Sequence, residues 1–274
     1  MSEPAGPLVM GVVNVTPDSF SDGGLWVEPD RAVAHALLML EQGADLVDVG
    51  GESTRPGADR VSADEERRRV LPVIAALAAR GATVSVDTMR AGVAVEAIGA
   101  GAVIVNDVSG GLADADMVGV VAEAGVRFVV MHWRGHSRDM QTRAVYADVV
   151  AEVCDELASR VEALTSAGVA REQVVVDPGF GFAKSAEHNW SLLRHLDSIT
   201  ALGLPVLVGT SRKSFLTRVG LTSAQPARPP DQRDAATAAT TVLAAQAGVW
   251  AVRVHDVPAT RSALGVVAAV ADAP

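Results

Sequence analysis

LVMGVVNVTPDSFSDGG, Leu8–Gly24, is an apolar run that stops at an amide, Asn14, and empties into a loop of Asp, Ser and Gly. Read alone, it is a strand end followed by a polar turn. The fold is decided by its repetition. Short runs rich in Val, Ile and Leu return as ADLVDV from Ala44, ATVSV from Ala82, AVIV from Ala102, VRFVVM from Val126, QVVV from Gln173, PVLV from Pro205 and VWAVRV from Val249. With the first, that makes eight. Runs of this length without clean alternation suit parallel strands buried on both faces. Helical periodicity fills the gaps at Asp30–Gln42, Ser62–Arg80, Tyr146–Ala167 and Arg233–Gln246, with Gly43, Gly81 and Gly168 standing at helix ends, where a left-handed residue closes a helix. Eight alternations of strand and helix predict an α/β fold: a single (β/α)8 barrel of the TIM type, one domain over 1–274, with its active site at the C-terminal ends of the strands. Strand counting also admits an open doubly wound sheet, but eight full units in this length favour the barrel. The Pro-rich piece Gln225–Pro230 reads as a loop before a helix, because strand and helix resume on both sides.

Composition narrows the ligand. The 274 residues are 49% hydrophobic, enough for a large core, and 23 Lys and Arg against 33 Asp and Glu give a formal net charge of -10. That balance argues against a nucleic-acid or anionic-membrane surface, so an anionic ligand must meet a local basic pocket. The start MSEPAGP has no basic stretch leading an apolar core, and every apolar run is shorter than a bilayer span, so a cytoplasmic location is expected. The one cysteine, Cys154, lies on a helical pattern with Val149, Val150, Val153 and Leu157, which makes it a small buried hydrophobe with no internal disulfide partner.

In a barrel, chemistry sits just past each strand. The residues there are Asn14, Asp48, Asp87, Asn106, His132, Asp177, the trio Ser211, Arg212 and Lys213, and Arg253 with His255. Any one Asp or Asn in such a place also serves as a helix cap. Together they describe a pocket for a compact ligand with many hydrogen-bonding edges. Two decoys fall away. DPGFGFAK, Asp177–Lys184, carries Lys184 where a dinucleotide fingerprint needs its third glycine, and no P-loop lysine motif or zinc-ligand cluster occurs.

VNVTPDSFSDGG, DVGGESTRPG, VSVDTMR, VNDVSGG, DPGFGFAK, GTSRKSF and VRVHDV, in that order along nearly the whole chain, resemble the dihydropteroate synthase family of the folate pathway. In that family para-aminobenzoate displaces pyrophosphate from 6-hydroxymethyl-7,8-dihydropterin pyrophosphate. The stretch MHWRGHSRDMQ departs from the commoner family form at Trp133 and Ser137, and Ala183 stands where many members carry glycine.

The resemblance implies roles for residues of this sequence. Asp177 is expected to accept the two parallel N–H donors of the pterin as a fork. Asp87 and Asn106 lie along the pterin edge, Lys213 donates to the pterin oxygen or ring nitrogen, and Arg253 stacks on the pterin face. Met131, Gly181 and Phe182 line the same slot, although core packing explains Met131 equally well. Asn14, Thr54, Arg55, Arg253 and His255 are expected at the pyrophosphate, with Asn14 offering its amide oxygen to a magnesium ion. Phe20, Thr54, Arg55, Pro56, Lys213 and Ser214 are expected around the aminobenzoate; Ser214 also reads as a plain helix cap. Lys213, Arg253, His255 and Asp87 carry the catalytic assignment. Bond breaking ahead of attack, competition by sulfonamides and a homodimer complete what the resemblance implies. A pterin carrier without pyrophosphate chemistry and a silent paralogue are the rival readings. His35, His188, His195, Trp26 and Trp190 receive no chemistry.

Overall fold

The computed structural model describes residues 6–16, 28–52, 60–136 and 140–274. Strand and helix alternate through β1 (Leu8–Asn14), α1 (Glu28–Glu41), β2 (Leu46–Gly50), α2 (Ala63–Ala78), β3 (Val84–Asp87), α3 (Ala91–Gly99), β4 (Ile104–Asp107) and α4 (Met117–Ala124). The alternation continues with β5 (Arg127–Met131), α5 (Val149–Ser166), β6 (Val174–Asp177), α6 (Ala186–Arg194), α7 (Leu196–Thr200), β7 (Leu207–Val208), α8 (Asp234–Gln246), β8 (Ala251–Val254) and α9 (Val257–Ala271). Helix starts follow local chemistry. Ser62 accepts from the Glu65 N–H at α2, Asp148 caps α5, and Asp256 accepts from the Ala259 N–H at α9, each satisfying a donor the helix cannot.

The strands run parallel in the order β6-β5-β4-β3-β2-β1-β8-β7. A parallel bridge from Val176 to Val206 joins the two ends, and the Val176 N–H donates to the Pro205 carbonyl at 2.9 Å. An open sheet leaves its edges unpaired; here the ends meet, which decides for the barrel. The seventh run contributes only Leu207 and Val208 to the ladder.

The core has two parts. Met10, Leu46, Ile104, Val129, Val175, Leu207 and Ala251 form a small cluster inside the barrel, while a much larger one fills the space between strands and helices. Gly11 permits one such close outer contact, since a Cβ there would lie 2.8 Å from the Met39 sulfur on α1.

Side chains alternate across a strand, so residues two beyond the inner layer share its face. Those are Val12, Asp48, Asn106, Met131, Asp177, Gly209 and Arg253. Ser85, which pairs with Ile104, puts Asp87 in the same ring. The pleat thus sets five polar side chains, Asp48, Asp87, Asn106, Asp177 and Arg253, one step above an apolar plug.

Candidate active site

Arg253 is the hub of that floor. Its Nε donates to Asp48 Oδ2 at 2.6 Å and its Nη2 to Asp87 Oδ2 at 3.0 Å. Asn106 Nδ2 reaches the same Asp48 oxygen at 2.9 Å. Asp48 is fully buried, and among the described residues its Oδ1 has no hydrogen-bond partner, an acceptor that a ligand N–H or a water would complete. Burial pushes the Asp87 carboxyl well above the usual carboxylate range, reinforced by the charge of Asp48 and opposed by Arg253. Burial works against the Arg253 charge, but Asp48 and Asp87 more than offset it and hold the guanidinium ionised.

Asp177 faces this group from β6. Its Oδ1 accepts the Gly179 N–H at 2.7 Å. Burial raises its pKa, against that hydrogen bond and the charges of Lys213, Lys184 and Arg253. Met131 pairs with Asp177 in the ladder and is buried. Lys213 lies over the Phe182 ring, Nζ 4.0 Å from its centroid. Its stem passes Gly181, where a Cβ would meet Lys213 Cδ at 3.0 Å. Burial and the charge of Arg253 press the Lys213 ammonium down to about 8, with Asp177 and Asp87 opposing. These contacts gather Asp87, Asn106, Met131, Asp177, Gly181, Phe182, Lys213 and Arg253 at one mouth.

His255 sits beside it. Ser211 Oγ lies 2.9 Å from His255 Nδ1 and accepts the His255 backbone N–H at 3.2 Å. Ser214 is exposed at the start of a 3-10 turn of three residues, Ser214–Leu216. That is less than the helix start expected, so an anion there meets a hydroxyl and nearby N–H groups instead of a helix macrodipole. Asn14 closes β1, half-buried, with no side-chain hydrogen bond among the described residues. A partnerless amide oxygen on the inner rim fits a magnesium ion that takes few protein ligands and keeps its waters. No group of three or more His, Cys, Asp or Glu able to hold a metal occurs among the described residues. Phe20, Thr54, Arg55 and Pro56 lie outside the described residues.

One strand-end residue does not join the mouth. His132 follows Met131 and therefore turns to the helix side, where its Nε2 meets Glu156 of α5 at 2.9 Å and its Nδ1 meets Lys184 Nζ at 3.0 Å. Burial lowers His132 to about 4 and Lys184 to about 7. Arg134 and Tyr146 extend the network, with Arg134 paired to Glu156 and stacked 3.9 Å from the Tyr146 centroid. Lys184 thus braces the turn that carries Asp177. Two contributors had no assigned role in the sequence: Asp48, which organises Arg253 and Asn106, and Ser211, which holds His255. The signal for Asp48 was its parity with Leu46 in β2. His188 caps α6 against Ser185, and Cys154 donates weakly to the Ser198 carbonyl at 3.7 Å, both away from the mouth.

The chain matches the pterin binding enzyme family model over residues 10–255. It is 53% identical over 262 residues to the dihydropteroate synthase of Mycobacterium leprae, covering 95% of this chain and 92% of that one. Among solved structures it superposes on Xanthomonas albilineans dihydropteroate synthase with 4-aminobenzoic acid, with a TM-score of 0.90 and 46% identity, covering 98% of this chain and 94% of that one. It also superposes on the Yersinia pestis enzyme in a sulfonamide drug complex, with a TM-score of 0.90 and 41% identity over 100% and 98% of the two chains. With match and geometry in agreement over the barrel mouth, the chain belongs to the pterin binding enzymes and, within them, to the dihydropteroate synthase family.

Proposed function

We propose that this mouth condenses 6-hydroxymethyl-7,8-dihydropterin pyrophosphate with para-aminobenzoate, releasing 7,8-dihydropteroate and pyrophosphate. The observation that carries the reading is the convergence of Asp48, Asp87, Asn106 and Asp177 with Arg253 and Lys213 on the inner face of one barrel end. A pterin presents donors and acceptors along one edge of a flat ring, and this set supplies a complement for each.

Asp177 accepts the 2-amino and ring N–H donors as a fork, with Asp87 and Asn106 along the adjacent edge. Lys213 donates to the pterin oxygen or ring nitrogen. Arg253, its guanidinium fixed by Asp48 and Asp87, supports the ring face and, with His255, the pyrophosphate. The carbon–oxygen bond breaks first: its electron pair leaves with pyrophosphate, and the electron-rich pterin stabilises the exocyclic cation. The aromatic amine then forms the carbon–nitrogen bond and gives up a proton. No protein nucleophile is needed, and catalysis rests on stabilising departing charge and aligning the amine. Asn14 is the residue that would hold magnesium, which supplies further charge neutralisation at the pyrophosphate when bound. Ser214, Lys213 and, from the resemblance, Phe20, Thr54, Arg55 and Pro56 surround the aminobenzoate; Thr54 and Arg55 also serve the pyrophosphate.

Residues 1–274 work as one such barrel. The absence, among the described residues, of a helix long and apolar enough to cross a membrane and the acidic balance of the chain support a cytoplasmic setting. A homodimer is supported by the groove where Trp190 on α6 and Leu243 on α8, both part-exposed, adjoin Leu193 on α6, Leu196 on α7 and Ala247 just past α8. Initial rates with varied para-aminobenzoate and a fixed sulfonamide test the aminobenzoate assignment. Competitive inhibition supports it, and inhibition that added aminobenzoate does not relieve contradicts it.

A further inference from the structure

Between Ser211, which holds His255, and Lys213, which faces the pterin floor, stands Arg212 in the left-handed region at φ +59°. A side chain disfavours that conformation, and such residues persist only where their surroundings hold them. The holding is visible. Arg212 Nε donates to Asp234 Oδ1 at 2.8 Å and Nη2 to Asp234 Oδ2 at 2.7 Å, a two-pronged fork onto the first turn of α8. The Arg212 N–H donates to Thr237 Oγ1 at 3.2 Å, and its carbonyl accepts from Arg233 Nη1 at 2.8 Å. Backbone and side chain of one residue are thus both fastened to α8 or to the residue that precedes it.

None of these partners lies among the residues assigned to the ligands. Yet the kink they hold fixes the directions of the two neighbours. On one side Ser211 Oγ meets His255 Nδ1 at 2.9 Å; on the other the Lys213 ammonium settles 4.0 Å from the Phe182 centroid. We infer that Arg212 is a positioning residue, and that its fork with Asp234 holds the left-handed turn that delivers Ser211 to His255 and Lys213 to the pterin end of the site. The inference rests on the proposed reaction for its kinetic consequence, though not for its geometric one. Lysine cannot reproduce a planar fork, so the role belongs to arginine.

Arg212→Gly separates positioning from mere structural support. Glycine takes φ near +60° without strain, so the variant loses the fork while the turn stays open to it. The expected result is an unchanged or higher melting temperature, with kcat/KM for both substrates lowered about tenfold or more, because small displacements of aligned groups are costly to rate. Asp234→Asn, which keeps arginine but breaks the charged fork, should fall in the same direction by less. Kinetic constants within twofold of the unaltered protein, or a rate loss matched by a fall in melting temperature, overturn the inference. Imidazole 15N shifts of His255 supply a readout free of turnover: they should move in Arg212→Gly as the Ser211 contact loosens, and unchanged shifts refute the role. If the unaltered protein makes no dihydropteroate, the reaction is wrong, and the His255 shifts still decide the inference.

Discussion

Arg253 and Asp48 meet at 2.6 Å although 205 residues of chain separate them. The contact ties the eighth strand to the second across the top of the first. The same carboxylate oxygen accepts from Asn106 on β4. One buried carboxylate therefore sets the position of two ligand-facing groups from different strands. Its importance is geometric and electrostatic together, since removing either partner strands a charge at a buried position.

Asp48→Asn replaces that anion with an amide of the same shape. Among the described residues Arg253 then keeps its ion pair with Asp87. The expected cost is about 3 kcal/mol of unfolding free energy, the lower part of the range for breaking a buried pair, along with weaker pterin pyrophosphate binding. Denaturant unfolding monitored by fluorescence checks the first, and a loss too small to measure would remove Asp48 from the hub.

Asp177→Asn offers the pterin a donor where a second acceptor is needed. Charged hydrogen bonds contribute about 2 kcal/mol each, so affinity for pterin pyrophosphate should fall by about 30-fold at the least. Calorimetric titration measures it directly. Unchanged affinity would place the pterin elsewhere.

Burial and Arg253 bring Lys213 down to about 8, while burial and Asp48 push Asp87 upward. Lys213 offers a charged donor only when protonated, so kcat/KM for pterin pyrophosphate should fall as pH rises through about 8. Asp87 is a charged acceptor at both oxygens only when ionised, so activity should also fall on the acid side, through a pKa above the usual carboxylate range. The kcat/KM profile reports the free enzyme. Lys213→Arg, always charged, should lose the alkaline limb even where it lowers the maximum; a limb that stays at the same pH assigns it to another group.

His132 is held neutral, its pKa lowered by burial to about 4 against the pull of Glu156. The unfolded chain, titrating near 6.5, binds more protons than the folded one between those values. Stability therefore falls as pH drops from about 6.5 towards about 4. His132→Asn should flatten that slope relative to the unaltered protein in urea unfolding at several pH values. Parallel slopes in the two proteins would show that His132 titrates normally.

The barrel and its ligand end were legible because short Val-rich runs and the polar residues that follow them are local features. Helix ends were legible too: Gly43, Gly81 and Gly168 all carry positive φ beyond their helices. By local pattern His132 ends an apolar run and belongs with the mouth; strand parity, with Val129 inside the barrel and Met131 paired with Asp177, sends it the other way. Asp48 was visible as a strand-end carboxylate, but its service to Arg253 depends on a pairing across 205 residues that no local pattern encodes. Lys184 read as a failed glycine in a fingerprint, and only packing reveals it as the brace behind Asp177. Ser211 and Arg212 lie inside a recognised motif, where the left-handed turn at Arg212 has no glycine to announce it.

The most direct test is product formation by the purified protein, given pterin pyrophosphate, para-aminobenzoate and magnesium, with each left out in turn. Dihydropteroate and pyrophosphate should appear together, in equal amounts, only when both substrates are present. Pterin binding without product, or pyrophosphate release that ignores para-aminobenzoate, would contradict the synthase reading of this barrel mouth.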